Sequence, residues 1–336
     1  MKICVVGAGA IGGLLAVRLA KSGALVTVVD RGAHLQAIQR NGLKLLMADG
    51  SEHLTRSLEA TANIGNAGPQ DVVILAVKTQ ILPAIAPQLG SLMNDDTVIL
   101  PMQNGLPWWY FQKAGGEYDG RRIECLDPDG RLAAHVDVDR VLGCVVFPAG
   151  EVVSPGVVRH TEGNRFPLGE LDGSDSARAR ALVEMFTDAG FKSFVLDDIR
   201  AEIWLKLLGN LSFNPISALT HATLEDICRY PPSRALAKSL MQEAQAVANS
   251  LGITLRVSID KRIAGAEKIG SHKTSMLQDV EAGRGLELEA IMGAVAELAC
   301  LTGIATPGID AIYALVKLLD KTMREDHGAV QLRRIA

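Results

Sequence analysis

The 336-residue chain carries 34 basic and 38 acidic side chains, a net charge of −4, and 48% of its residues are hydrophobic. Near-balanced charge excludes a nucleic-acid binder held mainly by electrostatics, and 4% aromatic residues exclude base-stacking platforms as a main theme. At roughly 150 residues per domain, the length predicts about two domains.

Apolar runs such as Val72–Val77 fall well short of the roughly 18 residues needed to span a bilayer. The opening Met1–Val6 has the look of a signal peptide, but Arg18 and Lys21 interrupt it and the glycine spacing gives a structural reading. Five cysteines without a C-x-x-C pair predict neither a disulfide framework nor a zinc site. These features predict a cytoplasmic protein with no nucleic-acid, membrane or metal partner. Disorder is expected only in a short polar tail after Lys321.

The first hundred residues alternate strand and helix patterns. Lys2–Val6 reads as a strand, Ile11–Lys21 as a helix ending at Gly23, and Ala24–Val29 as a second strand. Leu43–Met47 and Glu52–Ser57 flank Asp49-Gly50, a hairpin-turn pair. Asp71–Val77 and Thr97–Met102 read as buried strands, with helix near Ile81–Leu89 between them. This alternation predicts an α/β parallel sheet wound right-handedly. Strands and turns continue from Leu126 to Leu171, including a hairpin over Leu126–Leu132. Ala177–Ala189 reads as helix and Lys192–Leu196 as strand. Beyond Asp197 the pattern is helical, over Ile199–Leu211, Arg234–Ser250, Glu287–Thr302 and Ile309–Met323. The predicted domains are therefore 1–196, Rossmann-like and dinucleotide-binding, and 197–336, all-α.

Gly7-Ala8-Gly9-Ala10-Ile11-Gly12 matches G-x-G-x-x-G between a strand and a helix. Its glycines suit a tight turn, close approach to a pyrophosphate, and close helix–strand packing. The anion would sit on the unpaired N–H groups at the helix start. At the end of the second strand, Asp30 suits the ribose hydroxyls of NAD, whereas Arg31 suits the 2′-phosphate of NADP. Both cofactors stay open on these residues. Lys78 and Asn104-Gly105 follow later strands at the sheet's carboxyl edge, where ligands bind; a solvated lysine and a plain turn are the bland alternatives.

Lys206, Asn210 and Asn214 recur at i, i+4 and i+8, each step drifting only about 40° around a helix. They share one face of an otherwise apolar segment, and Pro215 predicts that Asn214 ends or kinks the helix. Lys206 either snorkels to water or, partly desolvated, acts as a general acid towards a ketone oxygen.

With these motifs, the chain resembles the ketopantoate reductase (2-dehydropantoate 2-reductase) family from residue 1 to about 320. Ser275-Met276-Leu277-Gln278-Asp279-Val280, followed by Gly283-Arg284 and Glu287, adds to the likeness. The resemblance implies a Rossmann-like domain and a helical domain, with NADPH and substrate in the cleft. It implies that Lys206 is the general acid and that Glu287 orients or tunes it. Asn210, Asn214 and Ser275 would bind substrate, Asn104 would contribute from the cofactor side, and Lys78 would contact the cofactor. Without the resemblance, Ser275 reads as a helix-start residue and Glu287 as a first-turn carboxylate.

The implied reaction is NADPH-dependent reduction of ketopantoate to pantoate, on the route to pantothenate and coenzyme A. Two alternatives stand beside it: a reductase of a different, bulkier 2-oxo acid, similar to the β-hydroxyacid dehydrogenases, and a non-catalytic dinucleotide sensor. The first is prompted by a long Trp108–Arg140 stretch, whose four consecutive aromatics, Trp108–Phe111, either line the pocket or brace the fold. The apolar helical half also admits a homodimer.

Overall fold

The structure, a computed structural model, describes residues 1–332. Two compact units form the chain: Met1–Gln103 with Trp108–Ile199, and Asn104–Pro107 with the residues from Arg200 onward.

Five parallel strands make the first unit's main sheet: β1 (Lys2–Val6), β2 (Leu25–Val29), β5 (Glu59–Thr61), β6 (Val72–Leu75) and β7 (Val98–Pro101), in the order β5-β2-β1-β6-β7. Ile3, Val5, Val28, Val72, Ile74 and Leu100 are almost wholly buried, the burial expected of a sheet covered on both faces. Helix α1 (Ala10–Lys21) links β1 to β2, and α2 (Gly32–Asn41) follows β2. The expected hairpin exists as antiparallel β3 (Leu43–Leu46) and β4 (Glu52–Thr55), turning at Gly50 with φ 85°. With β9 (Ala149–Ser154) and β10 (Val157–Glu162) it forms a second sheet, β4-β3-β10-β9, packed on α1. Gly13 permits that packing, because a Cβ there would lie 2.8 Å from Val158 Cγ1.

The helix expected near Ile81–Leu89 is only one α turn, α3 (Leu82–Ile85), between 3₁₀ turns. Pro83 and Pro87 withhold N–H donors there. The predicted Leu126–Leu132 hairpin is a turn followed by α4 (Arg131–His135). Asp127 accounts for the difference: its carboxylate accepts N–H bonds from Leu132 and Ala133 and satisfies the helix start. Beyond it, β8 (Gly143–Cys144) pairs with β11 (Leu168–Gly169), and α5 (Ala177–Asp188) follows. Lys192–Leu196 makes isolated bridges rather than a strand. All four rings of Trp108–Phe111 are buried, Trp109 lies against Gly143, and Phe111 packs on Tyr118. These contacts are those of a packing brace.

Among the described residues, the second unit's regular elements are helices: α6 (Ile199–Thr220), α7 (Leu224–Arg229), α8 (Pro231–Ser250), α9 (Ile259–Ile269), α10 (Ser275–Glu281), α11 (Ala294–Thr302) and α12 (Pro307–Glu325). Of the two outcomes expected at Pro215, a helix end or a kink, the end is not found: α6 continues through it. Ile216, Ser217 and Ala218 beyond it are buried, and that burial outweighs one lost helical hydrogen bond. The predicted Glu287–Thr302 helix begins instead as a π turn, Glu289–Gly293, with Glu287 in the irregular segment ahead of it. Residues 322–332, part of the tail expected to be disordered, carry regular structure and a tertiary contact. Helix α12 runs to Glu325, and Val330 N–H donates to the Val280 carbonyl; residues 333–336 of that predicted tail and of the predicted second domain lie outside the described residues. Among the described residues, no helix is long and apolar enough to cross a membrane.

Candidate active site

In the first unit, the candidate cofactor residues gather at one edge of the parallel sheet. Gly7–Gly12 follows β1, Asp30 and Arg31 follow β2, and Lys78 follows β6, all at carboxyl ends. Gly7 has φ 97°, and Gly12 passes so close to it that a Cβ would lie 1.8 Å from the Gly7 carbonyl oxygen. Gly9 caps α1 without a side-chain bond, and a Cβ there would meet nothing within 4 Å. The loop is therefore tight where it packs and open over the helix N-terminus, where a pyrophosphate needs N–H donors and space.

Asp30 serves the loop itself. Its Oδ2 accepts from Ala8 N–H at 2.7 Å and its Oδ1 from Arg31 N–H at 2.6 Å. The sequence reading missed His34, which bridges Gly156 to the loop. Gly156 N–H donates to Nδ1 at 3.1 Å, so Nε2 carries the proton and donates to the Ala8 carbonyl at 2.9 Å. Gln103 was missed too: its Nε2 donates to the carbonyls of Leu75 and Val77, holding the end of β6 just before Lys78. Neither position carries a motif, and only the folded contacts identify them.

In the second unit, α6 places Lys206, Asn210 and Asn214 on one face of a continuous helix, with Lys206 and Asn210 half-buried and Asn214 buried. Lys206 Nζ donates to Asn104 Oδ1 at 2.6 Å, and Asn104 Nδ2 makes a long 3.5 Å contact with Glu287 Oε2. The carboxamide thus has its oxygen towards an ammonium and its nitrogen towards a carboxylate, and flipping it would reverse both favourable contacts. Asn104 was expected from the cofactor side, yet its segment folds with the helical unit. Leu106 N–H donates to the Ala290 carbonyl at 2.7 Å, and Gly105 has φ 85° with no room for a side chain, since a Cβ there would lie 2.2 Å from that same carbonyl oxygen. Ser275 occupies the first turn of α10 and is exposed; the cap is Thr274, whose Oγ1 accepts from Leu277 N–H. The structure thus joins Asn104, Lys206 and Glu287 in one hydrogen-bonded group.

Family models described as "Ketopantoate reductase PanE/ApbA" and "Ketopantoate reductase PanE/ApbA C terminal" match residues 3–173 and 198–320. A 2-dehydropantoate 2-reductase of Mesorhizobium japonicum is 49% identical over 320 residues, spanning 95% of this chain and 98% of that protein. The solved 2-dehydropantoate 2-reductase of Geobacter metallireducens is 28% identical with a TM-score of 0.83, over 95% of this chain and 99% of its own. A D-mandelate dehydrogenase solved with NADH and anilino(oxo)acetate shares the fold at 23% identity, with a TM-score of 0.83, over 96% of this chain and 100% of its own.

Proposed function

The chain belongs to the ketopantoate reductase family, and from that premise we propose that it reduces 2-dehydropantoate to pantoate with NADPH. The observation that carries this reading is the Asn104–Lys206–Glu287 group, an ammonium aligned by a neutral acceptor next to a carboxylate.

The first unit's residues fit a dinucleotide: an uncapped helix start under an open glycine supplies N–H donors for a pyrophosphate. Lys78 borders the same edge. Reduced nicotinamide, when bound there, supplies the hydride. Lys206 then supplies the proton, donating it from Nζ to the ketone oxygen as negative charge develops there. Asn104 fixes the direction of that N–H bond, and Glu287 balances the ammonium and holds the carboxamide. Asn210, Asn214 and Ser275 bind the hydroxyl and carboxylate of the substrate.

Two hydrogen bonds favour the NADPH assignment. Both Asp30 oxygens already accept backbone N–H groups, while Arg31 stands beside them at the exposed start of α2 and can pair with a 2′-phosphate. Asp30 keeps further lone pairs for ribose hydroxyls, which supports NADH as the second reading.

The test is loss of reduced-nicotinamide absorbance on adding ketopantoate, run with both cofactors and a panel of larger 2-oxo acids. Lys206→Ala is expected to lower kcat about 100- to 10,000-fold while cofactor binding persists. Unchanged turnover in that variant would remove the proton donor. Cofactor binding without oxidation by any 2-oxo acid would favour a sensor.

A further inference from the structure

Glu287 lies in an irregular segment, so something other than its own helix must hold it. Two anchors on α12 flank it. On one side, Leu286 N–H donates to Asp320 Oδ1 at 2.9 Å; Asp320 is buried, and Arg324 pairs with its other oxygen. On the other side, the Glu289 carboxylate accepts from Tyr313 Oη at 2.5 Å and pairs with Lys317 at 3.0 Å. Lys317 Nζ also donates to Tyr313 Oη at 3.0 Å. Tyr313, Lys317, Asp320 and Arg324 follow at steps of four, three and four residues, so they form one stripe along α12.

The π turn fits this stripe. Gly293 leaves room for it, since a Cβ there would lie 2.3 Å from Glu289 Oε2 and 2.9 Å from Tyr313 Oη. Within the turn, Ala294 N–H, the ordinary helical partner of the Ala290 carbonyl, goes to the Glu289 carbonyl instead. The Ala290 carbonyl accepts Leu106 N–H, tying down the segment that carries Asn104. A stripe of exposed ion pairs alone would matter little. Here a buried carboxylate serves a backbone N–H adjoining Glu287, and such a donor is costly to leave unmade.

We infer that this face of α12 is a positioning element for the reaction, holding Glu287 from both sides, through Leu286 and through Glu289. Tyr313 and Asp320 are its positioning residues, acting through Glu287 on the Asn104–Lys206 pair. The inference rests on the reading of Lys206 as proton donor.

The test uses the full chain with Asp320→Ala, Asp320→Asn and Tyr313→Phe, each alone and combined with Glu287→Ala. Single-turnover rates with ketopantoate and NADPH are measured beside cofactor Kd and the thermal midpoint. Asp320→Ala and Tyr313→Phe should each lower the rate about tenfold or more, with cofactor Kd unchanged, because small misplacements of catalytic groups are expensive in rate. Asp320→Asn keeps an acceptor for Leu286 N–H and should recover most of the loss. In the Glu287→Ala background the same changes should cost less than about twofold, since residues acting through one another are not additive. Full rates in both single variants, or losses that multiply undiminished on Glu287→Ala, would overturn the inference. If Asp320→Ala fails to fold, Tyr313→Phe, which deletes one hydroxyl, decides the matter by the same criterion. Lys206→Ala, run alongside, reports separately on the proton donor, because the α12 variants are scored against Glu287.

Discussion

Replacing Gly105 by alanine probes the link between the Asn104–Pro107 segment and Lys206. Two costs follow from its geometry. At φ 85° an L-residue is strained by about 1–2 kcal/mol. The new Cβ would also lie 2.2 Å from the Ala290 carbonyl oxygen and 2.4 Å from its carbon, which are backbone atoms that cannot swing aside. Relief requires the segment to lift, breaking the Leu106 N–H bond to Ala290 and stranding a donor on a buried residue, about 1–3 kcal/mol more. The folded state should lose a few kcal/mol, and Asn104 should move off Lys206 Nζ. Thermal melts and steady-state kinetics with ketopantoate read the two effects. We expect a melting point lower by several degrees and kcat reduced about 10- to 100-fold, with cofactor Kd unchanged because the glycine loop belongs to the other unit. A variant with both melting point and kcat unchanged would refute the reasoning. It would mean that the 104–107 segment does not hold Asn104 where Lys206 needs it.

Arg31→Ala should weaken NADPH about tenfold or more and leave NADH within about twofold, by fluorescence titration of both cofactors; equal weakening of both would remove Arg31 from 2′-phosphate recognition. Trp109→Ala should cost about 3–5 kcal/mol by urea denaturation, because the ring is 1% exposed; a loss under about 1 kcal/mol would contradict its role as a brace. Burial pushes the Cys4 thiol up to about 12 from the usual 9.0, so it should resist thiol reagents at pH 8 while exposed Cys300 reacts first. The folded chain holds that proton more tightly than the unfolded one. The associated stability is thus complete below pH 9 and drains as pH rises towards about 12, which an alkaline denaturation series measures.

Much of the fold was legible in the sequence because it follows from local rules. The periodicity of residues 2–29, the glycine spacing of Gly7–Gly12 and the Asp49-Gly50 turn each act over a few residues, and each appears in the structure. The face shared by Lys206, Asn210 and Asn214 follows from helix geometry alone. Where local rules met tertiary burial, burial won. Pro215 sits inside a continuous helix; at 127–130 a competing local signal won instead, because Asp127 caps a helix where a hairpin turn was expected.

The group at Lys206 was beyond any local rule. Asn104 lies 102 residues from Lys206 and 183 from Glu287 in sequence, and no spacing specifies such a meeting. Likeness to a family named these residues and expected Asn104 from the cofactor side, while the helical pattern began a helix at Glu287. The structure instead folds Asn104 with the helical unit and forms a π turn after Glu287. Side-chain period and glycine spacing are properties of short segments, so they could be read directly from the sequence. Which ammonium meets which acceptor depends on how distant segments pack, and tertiary structure alone decides it.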